Sequence, residues 1–135
     1  MMARILFAGP RYPESGVLDQ WHKVKYVSTW LDMDAELYKE PLGIGFLEEP
    51  DPPEHDLIIC DTGLFYKQLA SEPEARSRYF IREVLPYLKS VALPVILLAE
   101  KEMGDHIRDV VKASGMTQVD KPFTGEELLK TLDSL

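Results

Sequence analysis

The sequence predicts an α/β fold in which a parallel sheet is covered by helices on both faces. Apolar runs of strand length occur at residues 3–8, 56–61 and 93–99. The run at 56–61 shows no alternation of apolar and polar residues, which is typical of a strand buried on both faces. Segments of helical periodicity separate these runs, and strictly alternating strands and helices indicate parallel β-α-β units.

In the N-terminal half, residues 3–8 read as a strand that stops at Gly9 and Pro10. A helix is predicted over 17–31, although the part from 23 to 30 also has partial period-two character. A short strand is predicted at 35–40. The segment 41–54 is at best a weak helix because glycines and prolines interrupt it. The helical prediction rests on one apolar face, formed by Val17, Trp21, Val24, Val27 and Leu31.

In the C-terminal half, a helix is predicted over 74–89, and Pro86 should kink or divide it. A second helix over 104–115 should end at Gly115. A short strand at 116–119 precedes the last helix, 124–135, whose start carries a capping box of Thr124 and Glu127. Right-handed crossovers then favour the flavodoxin-like arrangement, a doubly wound five-stranded parallel sheet in three α/β/α layers. The length of 135 residues fits a single domain, 1–135.

Composition excludes several classes of protein. The net charge of −8 disfavours nucleic-acid binding and makes basic or amphipathic protein surfaces the expected partners. No apolar stretch approaches the roughly 18 residues of a membrane span, and the N-terminus is a poor secretory signal. The single cysteine, Cys60, lies in an apolar run, which indicates a core residue and a reducing, cytoplasmic location.

Candidate site residues follow from the topology, because chemistry in such sheets gathers outside the carboxyl ends of the strands. The positions there include Gly9 and Pro10 after the first strand, Asp61 after the third and Ala99 after the fourth, with Lys121 after the fifth. Asp61 ends a buried run, so it could accept a phosphoryl group, bind a metal or only mark the end of a strand. Lys121 should face it.

These residues resemble the receiver domain of bacterial response regulators. The matching segments are ARILFAGP, DLIICDTGLF, LPVILLAEKE and VDKPFTGEELLKTL. The resemblance implies that Asp61 stands at the phosphoacceptor position and that Lys121 would pair with the phosphoryl oxygens. It also implies an acidic pair after the first strand that holds Mg²⁺ with the aspartate. In similar domains the bond before the proline that follows this lysine is cis, so we predict a cis bond between Lys121 and Pro122.

The other positions that the resemblance implies lack the expected chemistry. The acidic pair falls on Gly9 and Pro10, the phosphate-binding hydroxyl falls on Ala99, and the aromatic switch residue falls on Gln118. We therefore expect no cofactor and at most weak binding of Mg²⁺. Substitute metal ligands could come from Glu14, Asp19, Glu100 or Glu102.

Three functions follow as hypotheses. The first is a degenerate receiver, a non-enzymatic interaction module that binds a protein partner without ordinary phosphorylation. The second is a working receiver, phosphorylated on Asp61 by a histidine kinase. The third is a small enzyme on the same fold, for which the sequence offers no nucleophile–base pair or cofactor loop.

The last two helices suggest an interface for a partner or a homodimer, together with the last strand. They carry more apolar residues than one inward stripe requires, namely Ile107, Val110, Val111, Leu128, Leu129 and Leu132. The alternative is that these residues only seal the sheet.

Overall fold

A five-stranded parallel sheet forms the centre of the part of the chain that the structure describes. The computed structural model describes residues 2–37, 55–65 and 72–135. The strands are β1 Arg4–Ala8, β2 Lys23–Val27, β3 Leu57–Asp61, β4 Val95–Ala99 and β5 Thr117–Asp120. Their spatial order is β2-β1-β3-β4-β5, and every neighbouring pair is parallel. The predicted flavodoxin-like architecture is confirmed.

Helices cover both faces of this sheet. They are α1 Gly16–Trp21, α2 Trp30–Leu37, α3 Pro73–Tyr79, α4 Leu85–Ser90, α5 Lys101–Ala113 and α6 Gly125–Asp133. Helices α1 and α6 pack on one face, and α2 to α5 pack on the other. Since β3 and β4 are buried along their whole length, the core lies on both sides of the central strands.

Several local predictions are confirmed. A π-helical turn, Phe80–Val84, joins α3 to α4 just before Pro86, so the predicted helix is divided there. Gly115 follows α5 with a φ of 78°, which suits a glycine at a helix end. Thr124 caps α6, because its hydroxyl oxygen accepts the Glu127 N–H at 3.1 Å. Cys60 is a buried core residue, and burial raises the pKa of its thiol.

The predicted helix over 17–31 is wrong beyond Trp21. The backbone becomes extended at His22, and the following residues form β2, which pairs with β1 along its whole length. Val24 packs against one core and Val27 against the other, so these two residues of the predicted helical face lie on opposite faces of a strand. The partial period-two pattern was the better guide.

The predicted strand over 35–40 is also wrong in its first part, because Ala35–Leu37 belong to α2. This helix begins after Thr29, whose hydroxyl oxygen accepts the Asp32 N–H at 3.0 Å. A side-chain cap of this kind favours a helix start. Residues 38–40, and the segment 41–54 that was predicted as a weak helix, lie outside the described residues.

Candidate functional site

Asp61 and Lys121 form an ion pair at the carboxyl edge of the sheet, as the topology predicts. The Lys121 Nζ lies 2.8 Å from one carboxylate oxygen of Asp61 and 2.9 Å from the other. The Asp61 side chain is only 1% exposed, against 23% for Lys121. The bond between Lys121 and Pro122 is cis, as predicted. The Lys121 backbone N–H also donates to the Ala99 carbonyl at 2.8 Å, which ties the lysine loop to β4.

Tyr12 completes this site, although the sequence pattern does not predict it. Its hydroxyl donates a hydrogen bond to Asp61 Oδ2, while the Gly63 N–H donates to Oδ1 at 2.7 Å. The Tyr12 ring packs edge-on against Phe123, with ring centroids 5.6 Å apart. The only signal in the sequence was that Tyr12 lies in the loop after β1, at the edge where site residues gather. Nothing in the local pattern indicates which way its side chain points.

The charge states of the site reinforce the pairing. Burial raises the pKa of Tyr12, and its hydrogen bond to Asp61 raises that pKa further, so the phenol stays neutral and remains a donor. Burial alone would lower the pKa of Lys121. Its hydrogen bonds to Asp61 and Tyr12 outweigh that effect and raise the pKa, so the ammonium stays charged. Both oxygens of Asp61 are therefore held by donors from the protein itself.

The residues after β1 do not fit a magnesium ion. Gly9 adopts a φ of 150°, and a Cβ at this position would lie 2.6 Å from the Asp61 Cβ. A carboxylate at position 9 therefore has no room on this backbone. Pro10 is exposed and offers no side-chain oxygen. Since hard cations need several oxygen ligands, one carboxylate already paired with a lysine is a poor magnesium site.

The four acidic residues considered as substitute ligands do not assemble into such a site either. Glu14 and Glu100 line a cavity of about 350 Å³ beside Asp61, together with Tyr12, Lys101, Lys121, Pro122 and Phe123. Asp19 instead accepts a hydrogen bond from Tyr26 at 3.0 Å, and Glu102 is exposed on α5. Within the described ranges, no three His, Cys, Asp or Glu side chains could hold a metal ion.

Ala99 and Gln118 occupy the remaining positions that the resemblance implies. Ala99 ends β4, is fully buried and carries no hydroxyl. Gln118 Nε2 donates to the Gly104 carbonyl at 3.1 Å and to Asp120 at 2.7 Å, and Arg108 holds Asp120 in turn. The side chain of Gln118 thus belongs to a polar network between β5 and α5.

The interface hypothesis for the last two helices needs correction. Most of the side chains assigned to it are buried, because they seal the two faces of the sheet: Ile107 and Val111 pack in the core beneath α5, and Leu128 and Leu132 pack beneath α6. Val110 and Leu129 are partly buried. The surface between β5 and α6 is mostly polar instead, lined by Gln118, Val119, Asp120, Glu127, Lys130, Thr131 and Ser134.

Comparisons with known proteins bear on the fold. No model of a known protein family and no curated protein sequence matches this chain. Solved structures do match it over almost its whole length. A response regulator receiver protein from Burkholderia phymatum is 15% identical, with a TM-score of 0.61, and the match covers 98% of this chain and 93% of that one.

The chain has the fold of response-regulator receiver domains. The chemotaxis response regulator CheY4 of Vibrio cholerae is 21% identical, with a TM-score of 0.58 over 99% of this chain and 98% of that one. NtrX from Brucella abortus, solved in complex with ADP, is 15% identical with a TM-score of 0.60. The match covers 99% of this chain but only 27% of NtrX. No helix in the described part of the chain is both long and apolar enough to cross a membrane.

Proposed function

We propose that this receiver-like domain is a protein-interaction module in which Asp61 is kept in a side-chain cluster and is not phosphorylated. One observation carries the proposal: both carboxylate oxygens of Asp61 are occupied by donors from Tyr12, Gly63 and Lys121. A phosphoacceptor needs one oxygen free to attack the incoming phosphorus atom. Here that oxygen would first have to lose a hydrogen bond in a nearly water-free position.

The electrostatics of the pocket support the same conclusion. An incoming phosphodonor is an anion, and a divalent cation ordinarily neutralises the charge that develops during transfer. In this pocket, Gly9 excludes a carboxylate that could hold such a cation. Lys121 supplies one positive charge, which the Asp61 carboxylate already offsets. The whole chain carries a net charge of −8, so the field around the pocket does not favour an anion.

The cluster still has a structural role. A buried carboxylate without a partner is costly, so a lysine that neutralises it remains favourable even where no phosphoryl chemistry occurs. The described residues of the pocket contain no nucleophile beside a general base, since Tyr12 is a neutral donor and Lys121 is charged. We infer that the domain is not an enzyme and acts in the cytoplasm through the proteins it binds.

Acetyl phosphate tests the proposal. The full chain is incubated with Mg²⁺ and acetyl phosphate, and its intact mass is followed by mass spectrometry beside Tyr12→Phe and Asp61→Asn. A working receiver domain in the same buffer serves as positive control. We expect no phosphoryl adduct on the wild type. We also expect none on Tyr12→Phe, because removing the hydroxyl takes one donor from an oxygen of Asp61 that Lys121 still holds at 2.8 Å, and it supplies no cation site.

An adduct on the wild type that is absent from Asp61→Asn would instead support a working receiver phosphorylated by a histidine kinase. An adduct on Tyr12→Phe alone would show that the phenol by itself blocks the acceptor. That result would leave the wild type unphosphorylated and would contradict the magnesium part of the proposal.

A further inference from the structure

A groove with an exposed tryptophan lies at the amino edge of the sheet, opposite the edge that carries Asp61. Trp21 at the end of α1 is 63% exposed, and Met2 ahead of β1 is 68% exposed. Both line a groove of about 330 Å³ with His22, Leu129 and Asp133. Exposed apolar side chains gathered in one concave site are typical of binding surfaces, and tryptophan is enriched at the positions that dominate binding energy.

The groove also carries an acidic group. Asp133, at the end of α6, makes no ion pair with any described residue. The nearest cation on its helix, Lys130, lines the opposite surface, between α6 and β5. The His22 Nδ1 accepts the backbone N–H of Ala3 at 3.0 Å, so this nitrogen does not face the groove as a donor. The groove thus combines an indole face, two flexible apolar side chains and a carboxylate.

We propose that this groove binds an arginine of a protein partner, presented beside apolar residues on an amphipathic helix. An arginine side chain matches each part of the lining: its methylenes pack on Met2 and Leu129, its guanidinium plane stacks on an indole, and its N–H groups reach a carboxylate. This proposal rests on the proposed function, since it names the surface and the partner chemistry of the interaction module.

The negative charge of α6 and of the whole chain favours a basic partner over a second copy of the chain. Helix α6 carries three acidic residues and one basic residue, namely Glu126, Glu127, Asp133 and Lys130. A symmetric pairing of two such grooves would bring Asp133 of each copy towards the other and join two chains of net charge −8. Like charges opposed in this way are destabilising, whereas a basic helix gains from the same field.

The test is a titration of the full, isotope-labelled chain with a synthetic amphipathic helix, followed by heteronuclear NMR. The peptide has about 18 residues, or about five turns, with leucines at i, i+3, i+4 and i+7 and arginines beside that stripe. A matched peptide carries citrulline in place of arginine, which keeps the shape and removes the charge. The indole N–H signal of Trp21 reports on the groove. That of Trp30 is the internal reference, because its ring packs against Tyr87 with centroids 5.5 Å apart.

We expect the arginine peptide to move the Trp21 signal saturably and to leave that of Trp30 in place. Citrulline in the peptide, or Asp133→Asn in the chain, should weaken binding about tenfold. The control Asp109→Asn, which removes an exposed carboxylate from α5, should change affinity less than about twofold.

Three results would overturn the proposal. One is an unmoved Trp21 signal at about 1 mM peptide, the weak limit of specific binding. Another is equal weakening by Asp133→Asn and Asp109→Asn, which would mean diffuse attraction to an acidic protein. The third is a Trp21 signal that moves with protein concentration alone while the mass doubles, which would make a second copy the occupant. Phosphorylation of Asp61 would contradict the proposed function and leave this titration unaffected, because the two sites lie at opposite edges of the sheet.

Discussion

The Tyr12 hydroxyl donates to the same carboxylate oxygen of Asp61 that lies 2.8 Å from the Lys121 ammonium. The Tyr12 phenol, the Asp61 carboxylate and the Lys121 ammonium thus form one cluster at the carboxyl edge of the sheet. Gly9 lies directly beneath it and leaves no room for a further side chain.

Magnesium should not bind measurably. With Gly9 and Pro10 in place of an acidic pair, one carboxylate would have to compete with water for a hard cation while it is paired with Lys121. Isothermal titration calorimetry of the full chain with MgCl₂ should give only heats of dilution. A saturable isotherm with a dissociation constant tighter than about 1 mM would contradict this prediction.

Breaking the ion pair should destabilise the fold. Lys121→Met leaves the Asp61 carboxylate buried without its cation, and we expect a loss of about 3 kcal/mol in the free energy of unfolding. The double variant Asp61→Asn with Lys121→Met should lose about 1 kcal/mol less, because no unpaired charge remains. Urea unfolding measures both variants. The control Lys101→Met, an exposed lysine in the same cavity, should stay within about 0.5 kcal/mol of the wild type. Equal losses for the two lysine variants would refute the pairing.

A side chain at position 9 should destabilise the fold. Gly9→Ala places a Cβ 2.6 Å from the Asp61 Cβ and requires a φ of 150°, so we expect a loss of at least about 2 kcal/mol in the free energy of unfolding. Gly16→Ala is the matched control. Its Cβ would meet nothing within 4 Å, and its φ is −58°, so it should change stability by less than about 1 kcal/mol. Similar thermal midpoints for Gly9→Ala and Gly16→Ala would argue against a steric clash between a side chain at position 9 and Asp61.

The Tyr12 hydrogen bond should be visible as a pH dependence at alkaline pH. The pKa of Tyr12 in the folded chain is raised above its ordinary value of 10.0. Its contribution to stability is therefore fully present below about pH 10 and is lost as the pH rises through the folded pKa. The stability advantage of the wild type over Tyr12→Phe should be constant below about pH 9 and shrink above about pH 10. Urea unfolding across this range measures it, and an unchanged difference would count against the hydrogen bond.

Much of the fold could be predicted from the sequence because the signals were strong and local. The runs at β3 and β4 are apolar throughout, and the capping box of Thr124 and Glu127 marks the start of α6. The second strand could not be located, because Lys23–Val27 satisfies a helical spacing and a period of two at once. Only its pairing with β1 decides between them, and that contact is not local.

The site, too, could be predicted from the sequence only in part. Asp61 ends β3 and Lys121 directly follows β5, so the parallel topology alone brings them to one edge. Tyr12 reaches Asp61 through a loop, whose path depends on the backbone turn at Gly9 and on the hydrogen bond from the Ser15 hydroxyl to the Tyr12 carbonyl, at 2.7 Å. Such a path leaves no periodic trace in the sequence. Burial of the leucines of α6 likewise depends on how closely the helix lies on the sheet.

Binding of beryllium fluoride tests the central claim most directly, because this mimic of a phosphoryl group binds without any transfer reaction. It therefore distinguishes a pocket in which phosphoryl transfer is merely slow from one that cannot hold a phosphoryl group. The full chain is mixed with Mg²⁺, beryllium and fluoride and observed by fluorine NMR, with Asp61→Asn as reference. We predict that the wild type and Asp61→Asn give the same spectrum, with no protein-bound resonance. Tyr12 and Lys121 occupy the Asp61 carboxylate, and the residues that the structure describes form no cation site beside it. A bound resonance in the wild type that disappears in Asp61→Asn would contradict the account and show that Asp61 is open to phosphorylation.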